Sequence, residues 1–135
     1  MEPDADMMAP VEAVARFMAE GADVAGAFAA QGVVIFENFP PFRFEGQDAS
    51  ARWRQGFLDH ARRHELADLV WRFGPVQDFA RDGARVFFTL PTRWTGTAHG
   101  TAFCEDGGWA FVLESAGGRW RILSYAWAVT AKGEP

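Results

Sequence analysis

The chain has 135 residues, 49% hydrophobic and 23% charged, the size and balance of one globular domain that needs no staple to close its core. A formal net charge of −5 opposes nucleic-acid binding by counterion release, and the arginines form no basic patch beyond Arg62–Arg63. Thirteen Phe and six Trp against a single Tyr demand a large core, a pocket or a buried interface. Cys104 is the only cysteine, so it can form no internal disulfide. It reads as a small buried hydrophobe in a reducing compartment. The acidic start Met1–Asp6 has neither the basic region nor the apolar run of a signal peptide. No stretch nears the roughly 20 apolar residues of a membrane helix. A cytoplasmic protein without a membrane partner is the expectation.

In chain order, residues 1–8 read as a disordered start, 9–131 as one domain and 132–135 as a tail. From Pro10, residues Val11, Val14, Ala15 and Met18 follow helical spacing. A second short helix is expected over Asp23–Gln31, stopped by Gly32. Val33–Phe36 is a β-branched and aromatic run that predicts a strand, ended by Pro40–Pro41. Asp48 can cap the next helix, which places Trp53, Phe57, His60, Ala61 and His64 on one face.

The remainder is strand-rich. Val70–Phe79 predicts a strand kinked at Gly74–Pro75, and Arg81–Asp82–Gly83 a tight turn. A long strand over Val86–Thr95 is expected to be interrupted at Pro91. Thr101–Glu105 and Trp109–Glu114 form two strands or one bulged strand. Ala116–Gly117–Gly118 turns into a last strand over Trp120–Val129. Helices first and an antiparallel meander afterwards give an α+β class. Both parities of the last hairpin are apolar, which predicts a second buried face and, most economically, a homodimer.

These elements resemble a known group. The order of helices, short strand, Phe39–Pro40–Pro41–Phe42, Gly46, amphipathic helix and long meander is similar to the NTF2-like superfamily, more narrowly to bacterial SnoaL-like proteins. Leu90–Pro91–Thr92, Gly100, Trp109–Leu113, Gly118–Ile122 and Ala126–Trp127 carry the likeness over about residues 10–130. It implies a cone-shaped, cystatin-like fold: N-terminal helices on a strongly curved sheet around an apolar cavity, dimerising through the outer sheet face. The superfamily hosts isomerases, dehydratases, polyketide cyclases and transport factors, so the fold alone does not fix an activity.

Glu37 ends the short strand before the Pro40–Pro41 turn. In ketosteroid isomerase-like members a carboxylate near this place is the general base, which implies that role for Glu37, or for Glu45 under another alignment of the loop. A carboxylate in an apolar cone would have its pKa raised, as a base near neutrality requires. The alternative is a turn cap facing solvent. The isomerase pattern also has a Tyr on the early helices and a protonated acid on a late strand. Here Phe17, Phe28 and Ala110 stand at those places.

His60 and His64 lie four apart and could act as acid or base at the rim, or simply pack at a helix boundary. They lack the Glu of an H-E-x-x-H motif, so no metal is expected, and no glycine pattern calls for a phosphate or other cofactor. Phe17, Ile35, Trp53, Phe57, Phe88, Phe103, Trp109, Phe111 and Tyr125 are the candidate pocket lining for a small apolar or aromatic molecule. Plain core packing is the competing account of the same rings.

Overall fold

The computed structural model describes residues 2–135. Helix α1 spans Ala5–Glu20, four residues inside the segment expected to be disordered. Asp4 is the reason: its side chain accepts from the Met7 N–H at 2.9 Å and so caps the first turn. Met7 then extends the buried stripe of Val11 and Val14 backwards by one turn. Pro10 therefore lies inside the helix, in its second turn, where only one backbone hydrogen bond is forgone.

The helix expected over Asp23–Gln31 does not form. Gly26 sits at φ +81°, a left-handed conformation that breaks helical propagation. The segment is instead tied to the last strand: the Ala29 N–H donates to Ile122 O and the Ile122 N–H to Ala27 O, both at 2.8 Å. Tertiary pairing outweighs a weak local propensity here.

The sheet has seven strands: β1 (Val34–Phe36), β2 (Arg43–Glu45), β3 (Ala67–Phe73), β4 (Gln77–Asp82), β5 (Arg85–Ala98), β6 (Thr101–Ala116) and β7 (Arg119–Gly133). Between β2 and β3 lies helix α2 (Ala49–Arg63). The order is β2-β1-β7-β6-β5-β3, with β4 also on β5. Only the β1–β7 pair is parallel. Two helices on this mixed, mainly antiparallel sheet make an α+β domain.

Several boundaries differ from the sequence reading. The strand expected over Val70–Phe79 splits at Gly74 into β3 and β4. The turn expected at Arg81–Gly83 falls on Gly83–Ala84. β5 runs unbroken through Pro91, because Pro91 lies opposite the gap between β3 and β4. Its carbonyl accepts from the Gly74 N–H across that gap at 2.7 Å, so the missing N–H faces no ladder partner. Thr101–Ala116 is a single strand. β7 continues to Gly133, so the expected tail at 132–135 shrinks to its last two residues.

Asp48 precedes α2 but makes no capping bond; it pairs with Arg52 at 2.9 Å instead. The helix buries Ala49, Trp53 and Phe57 on the sheet. Its close approach depends on Gly56, where a Cβ would meet the Phe44 ring at 3.0 Å. Register shifts in β7 let both Ile122 and Tyr125, three apart, point inward. That bulge accounts for part of the apolar character on both parities of the last hairpin.

Candidate functional site

Glu37 follows β1 directly. Strand alternation turns Ile35 inward, Phe36 outward and Glu37 inward again. The Glu37 N–H donates to Phe42 O at 3.0 Å, which fixes the β1–β2 turn behind it. The side chain is 7% exposed. Its Oε2 accepts from the Trp53 indole N–H on α2 at 3.0 Å, and from the Tyr125 hydroxyl on β7. Tyr125 is placed by pairing with Ile35 on one side and Phe111 on the other. No side-chain donor reaches Oε1 among the described residues.

Burial raises the Glu37 carboxyl from 4.5 to about 7. The hydrogen bonds from Tyr125 and Trp53 pull the other way, and the Glu105 charge adds to the rise. The desolvation penalty exceeds the two bonds, so near neutrality the group holds and releases a proton with comparable ease. Tyr125 is pushed well above its usual range by burial and by Glu37, and so remains a donor.

Glu37 lines a cavity of about 70 Å³ that opens to solvent. By the measure that one water needs ~10–15 Å³, this is room for a few waters or a small organic group. The wall also holds Met18, Asn38, Phe39, Phe57, His60, Leu66, Leu69, Trp94, Phe103, Glu105, Trp109 and Trp127. Glu105 is held much as Glu37 is. Its Oε1 accepts from Asn38 Nδ2 at 2.9 Å and from Trp127 Nε1 at 3.4 Å. Trp127 can reach it because β6 passes beneath as glycine: a Cβ on Gly107 would meet the Trp127 ring at 2.5 Å. The Trp109 indole N–H is buried without a partner, a donor left unspent.

Of the histidines, only His60 reaches the wall. It stacks on Phe39 at 5.2 Å between ring centroids. Burial, then the charges of His64, Arg63 and Lys132, lower it to about 4, so it is neutral at physiological pH. His64 packs beside it at 4.7 Å but is exposed and lies outside the cavity. His99 is exposed and pairs with Glu65 at 2.7 Å. Among the described residues no three His, Cys, Asp or Glu side chains are grouped to hold a metal ion.

Of the nine candidate lining residues, Phe57, Phe103 and Trp109 are in the wall. Phe17, Ile35, Trp53, Phe88, Phe111 and Tyr125 are not; they are buried in the core behind it. Trp53 and Tyr125 serve the site from there as donors to Glu37, since both carry a polar atom on an otherwise apolar ring. Glu45 is exposed on β2, paired with Arg43 at 2.9 Å, and is no rival to Glu37. The spacing of residues gave no signal for Asn38 or Glu105, because a turn and two strands bring them together with Trp127. Cys104 is buried, as a small hydrophobe would be. No helix is long and apolar enough to cross a membrane among the described residues.

No protein-family model matches the chain, and no curated protein matches it by sequence. Solved structures do match it by shape. Hexachlorocyclohexane dehydrochlorinase LinA-type3 from Novosphingobium barchaimii LL02 superposes with a TM-score of 0.78 at 7% identity, covering 96% of this chain and 87% of that one. A Type2 LinA dehydrochlorinase gives 0.75 at 9% identity, over 96% and 86%. An uncharacterised protein with a cystatin-like fold from Caulobacter vibrioides gives 0.70 at 12% identity, over 93% and 88%. Identities this low speak for shape and not for activity. The chain has the cystatin-like fold, the fold that its resemblance to the NTF2-like superfamily implied.

Proposed function

We propose that the cavity binds a small, largely apolar or aromatic molecule and that Glu37 exchanges a proton with it as general base and acid. One observation carries this reading. A buried carboxyl stands in the wall of an apolar cavity, with one oxygen pinned by two donors and no cation beside it. Such a carboxyl is poised for proton transfer near neutral pH. The reaction class that fits is proton abstraction from carbon, as in an isomerase, cyclase or dehydratase. The likeness to dehydrochlorinases supports it, since loss of hydrogen chloride also removes a proton from carbon. His60, neutral in the wall, is a second acceptor, whereas His64 has no access to the cavity. A pure interaction module would need no cavity.

The test is solvent-deuterium incorporation into a panel of small cyclic ketones, followed by NMR. Exchange by the wild-type chain that Glu37→Gln abolishes supports the reading. Equal exchange in both, or a Glu37 carboxyl that titrates near 4.5 in a 13C experiment, would count against it.

The outer sheet face favours a homodimer. Phe87, Val112, Ser124 and Val34 form one cross-strand row, and Thr89, Ala110, Ala126 and Phe36 the next. Charges stand around these rows, as the pairs Arg85–Glu114 and Arg93–Asp106 and, on β2 beside Phe36 and Val34, Arg43–Glu45. Phe36 is 44% exposed and Phe87 38%, an apolar patch suited to a second copy. Light scattering should give twice the chain mass, and Phe87→Glu should return the monomer; a monomeric wild type would reject this.

A further inference from the structure

We infer that the ligand presents a compact organic ammonium group to the cavity, held between the Glu37 and Glu105 carboxyls and the faces of Trp94, Trp109 and Trp127. This rests on the pocket reading above and adds the charge of its occupant.

The argument begins with what the wall lacks. Two of its residues are carboxylic acids and none is Lys or Arg. Neither Glu37 nor Glu105 is in an ion pair among the described residues. In each, two donors converge on one oxygen, and no side-chain donor reaches the other. Each carboxyl keeps acceptor capacity toward the cavity, Glu37 having besides these donors only the Asn38 backbone N–H among the described residues, and an ammonium supplies donors and charge together. Most of the remaining wall is aromatic, with Met18, Leu66 and Leu69 between the rings; ring faces, tryptophan above all, attract cations, and the one buried donor left free for an anion among the described wall residues is the Trp109 indole N–H. An anionic ligand would meet two carboxyls and no counter-charge. A neutral apolar ligand would leave both acids uncompensated in a partly dry site. A metal ion would require three or more grouped ligands, which the described residues do not offer.

The groups facing Glu37 are Tyr125 from β7, Glu105 from β6 and His60 from α2, with the exposed Lys132 of β7 opposite Glu105 in register but not paired with it. His60 is held neutral by burial and by the charges around it, Arg63 and Lys132 among them, so within the wall itself only the two carboxyls carry charge. Binding of a cation must favour the ionised form of Glu37, and by reciprocity ionisation of Glu37 must favour the cation.

The probes are three molecules of one shape: tert-butylammonium, tert-butanol and pivalate. Binding is read from the shifts of the tryptophan indole N–H resonances on titration. The ammonium should bind about tenfold or more tightly than the alcohol, and pivalate not at all. The affinity for the ammonium should rise about tenfold from pH 6 to pH 8. Glu37→Gln should abolish that rise. Glu105→Gln, which keeps the acceptor for Asn38 and Trp127, should weaken the ammonium at every pH and spare the alcohol. Alcohol binding as tight as the ammonium, or tighter, overturns the inference and leaves the pocket standing. So does a pH-independent affinity. Binding of none of the three overturns the inference, and the deuterium-exchange test then decides the pocket reading separately.

Discussion

The two ends of the β5–β6 hairpin are built on the same strands and do opposite things. Toward the turn at Gly83–Ala84, Val86, Phe88 and Leu90 meet Phe111, Leu113 and Ile122, all at 2% exposure or less. Nothing polar interrupts that packing. Toward the other end, Thr92 lies opposite Gly107 and Trp94 opposite Glu105, and the core gives way to a cavity. Here the polar atoms are largely spent on one another: Trp53 and Tyr125 on Glu37, Asn38 and Trp127 on Glu105. The closed end is governed by volume, the open end by the matching of donors to acceptors.

The sharpest way to separate the two ends is a cavity mutation in the closed one. Leu113→Ala, which truncates a fully buried side chain of the closed end, should cost about 2–5 kcal/mol in denaturant unfolding. It should leave the pH dependence of stability unchanged in form. A loss below about 1 kcal/mol would mean the closed end is not tightly packed.

Next comes the carboxyl itself. Its folded pKa, about 7, lies above the ordinary 4.5, so between those values the folded chain keeps a proton that the unfolded chain has released. This group's contribution is therefore fully present below pH 4.5 and is lost as pH rises through 7. The loss is on the order of 3 kcal/mol. Glu37→Gln should remove that slope, so that the variant gains on the wild type between pH 5 and pH 8. Parallel stability curves for the two proteins would refute the burial account of the shift.

A smaller effect tests the donors. Tyr125→Phe removes a bond that favours the charged carboxyl, so the pH at which stability falls should move upward from about 7. The cost at pH 5 should be about 1 kcal/mol. An unmoved or lower midpoint would show that the hydroxyl does not hold Glu37. Smallest of all, Asp4→Ala should cost about 1 kcal/mol or less through the lost cap of α1. It should leave the Glu37 titration untouched, because the helix start is remote from the wall.

Much of this was legible in the sequence, and unevenly so. The β1 strand, α2 and the final meander follow from patterning of single segments. Glu37 stood out because it ends the short strand before the Pro40–Pro41 turn, a local fact, and because the family likeness gives a carboxylate near that place a role. What failed was whatever distant pairing decides. Asp23–Gln31 carries helical spacing, yet its backbone is claimed by Ile122. Tyr125 stood out as the only tyrosine, but its partner lies 88 positions away and no pattern announces it. The lining rings divided into wall and core by their position along the sheet: Phe103, Trp109 and Phe111 share one parity of β6, yet only the first two reach the cavity, and strand patterning does not mark where the core gives way.

The parallel pairing of β1 with β7 has a consequence for how the protein comes into being. β5, β6 and β7 are joined by short turns and can assemble as neighbours, whereas Ile35 must wait for Tyr125 across most of the chain. Contacts of that span carry the largest loop-closure cost and are made late. On a ribosome the Glu37 carboxyl would lack its hydroxyl donor until the last strand had emerged. Pulse-labelled amide exchange during refolding should show Phe111 protected before Ile35; the reverse order would contradict this. The donor pair of Glu37 thus completes after the scaffold, and no truncation that spares both helices but trims β7 before Tyr125 can retain it.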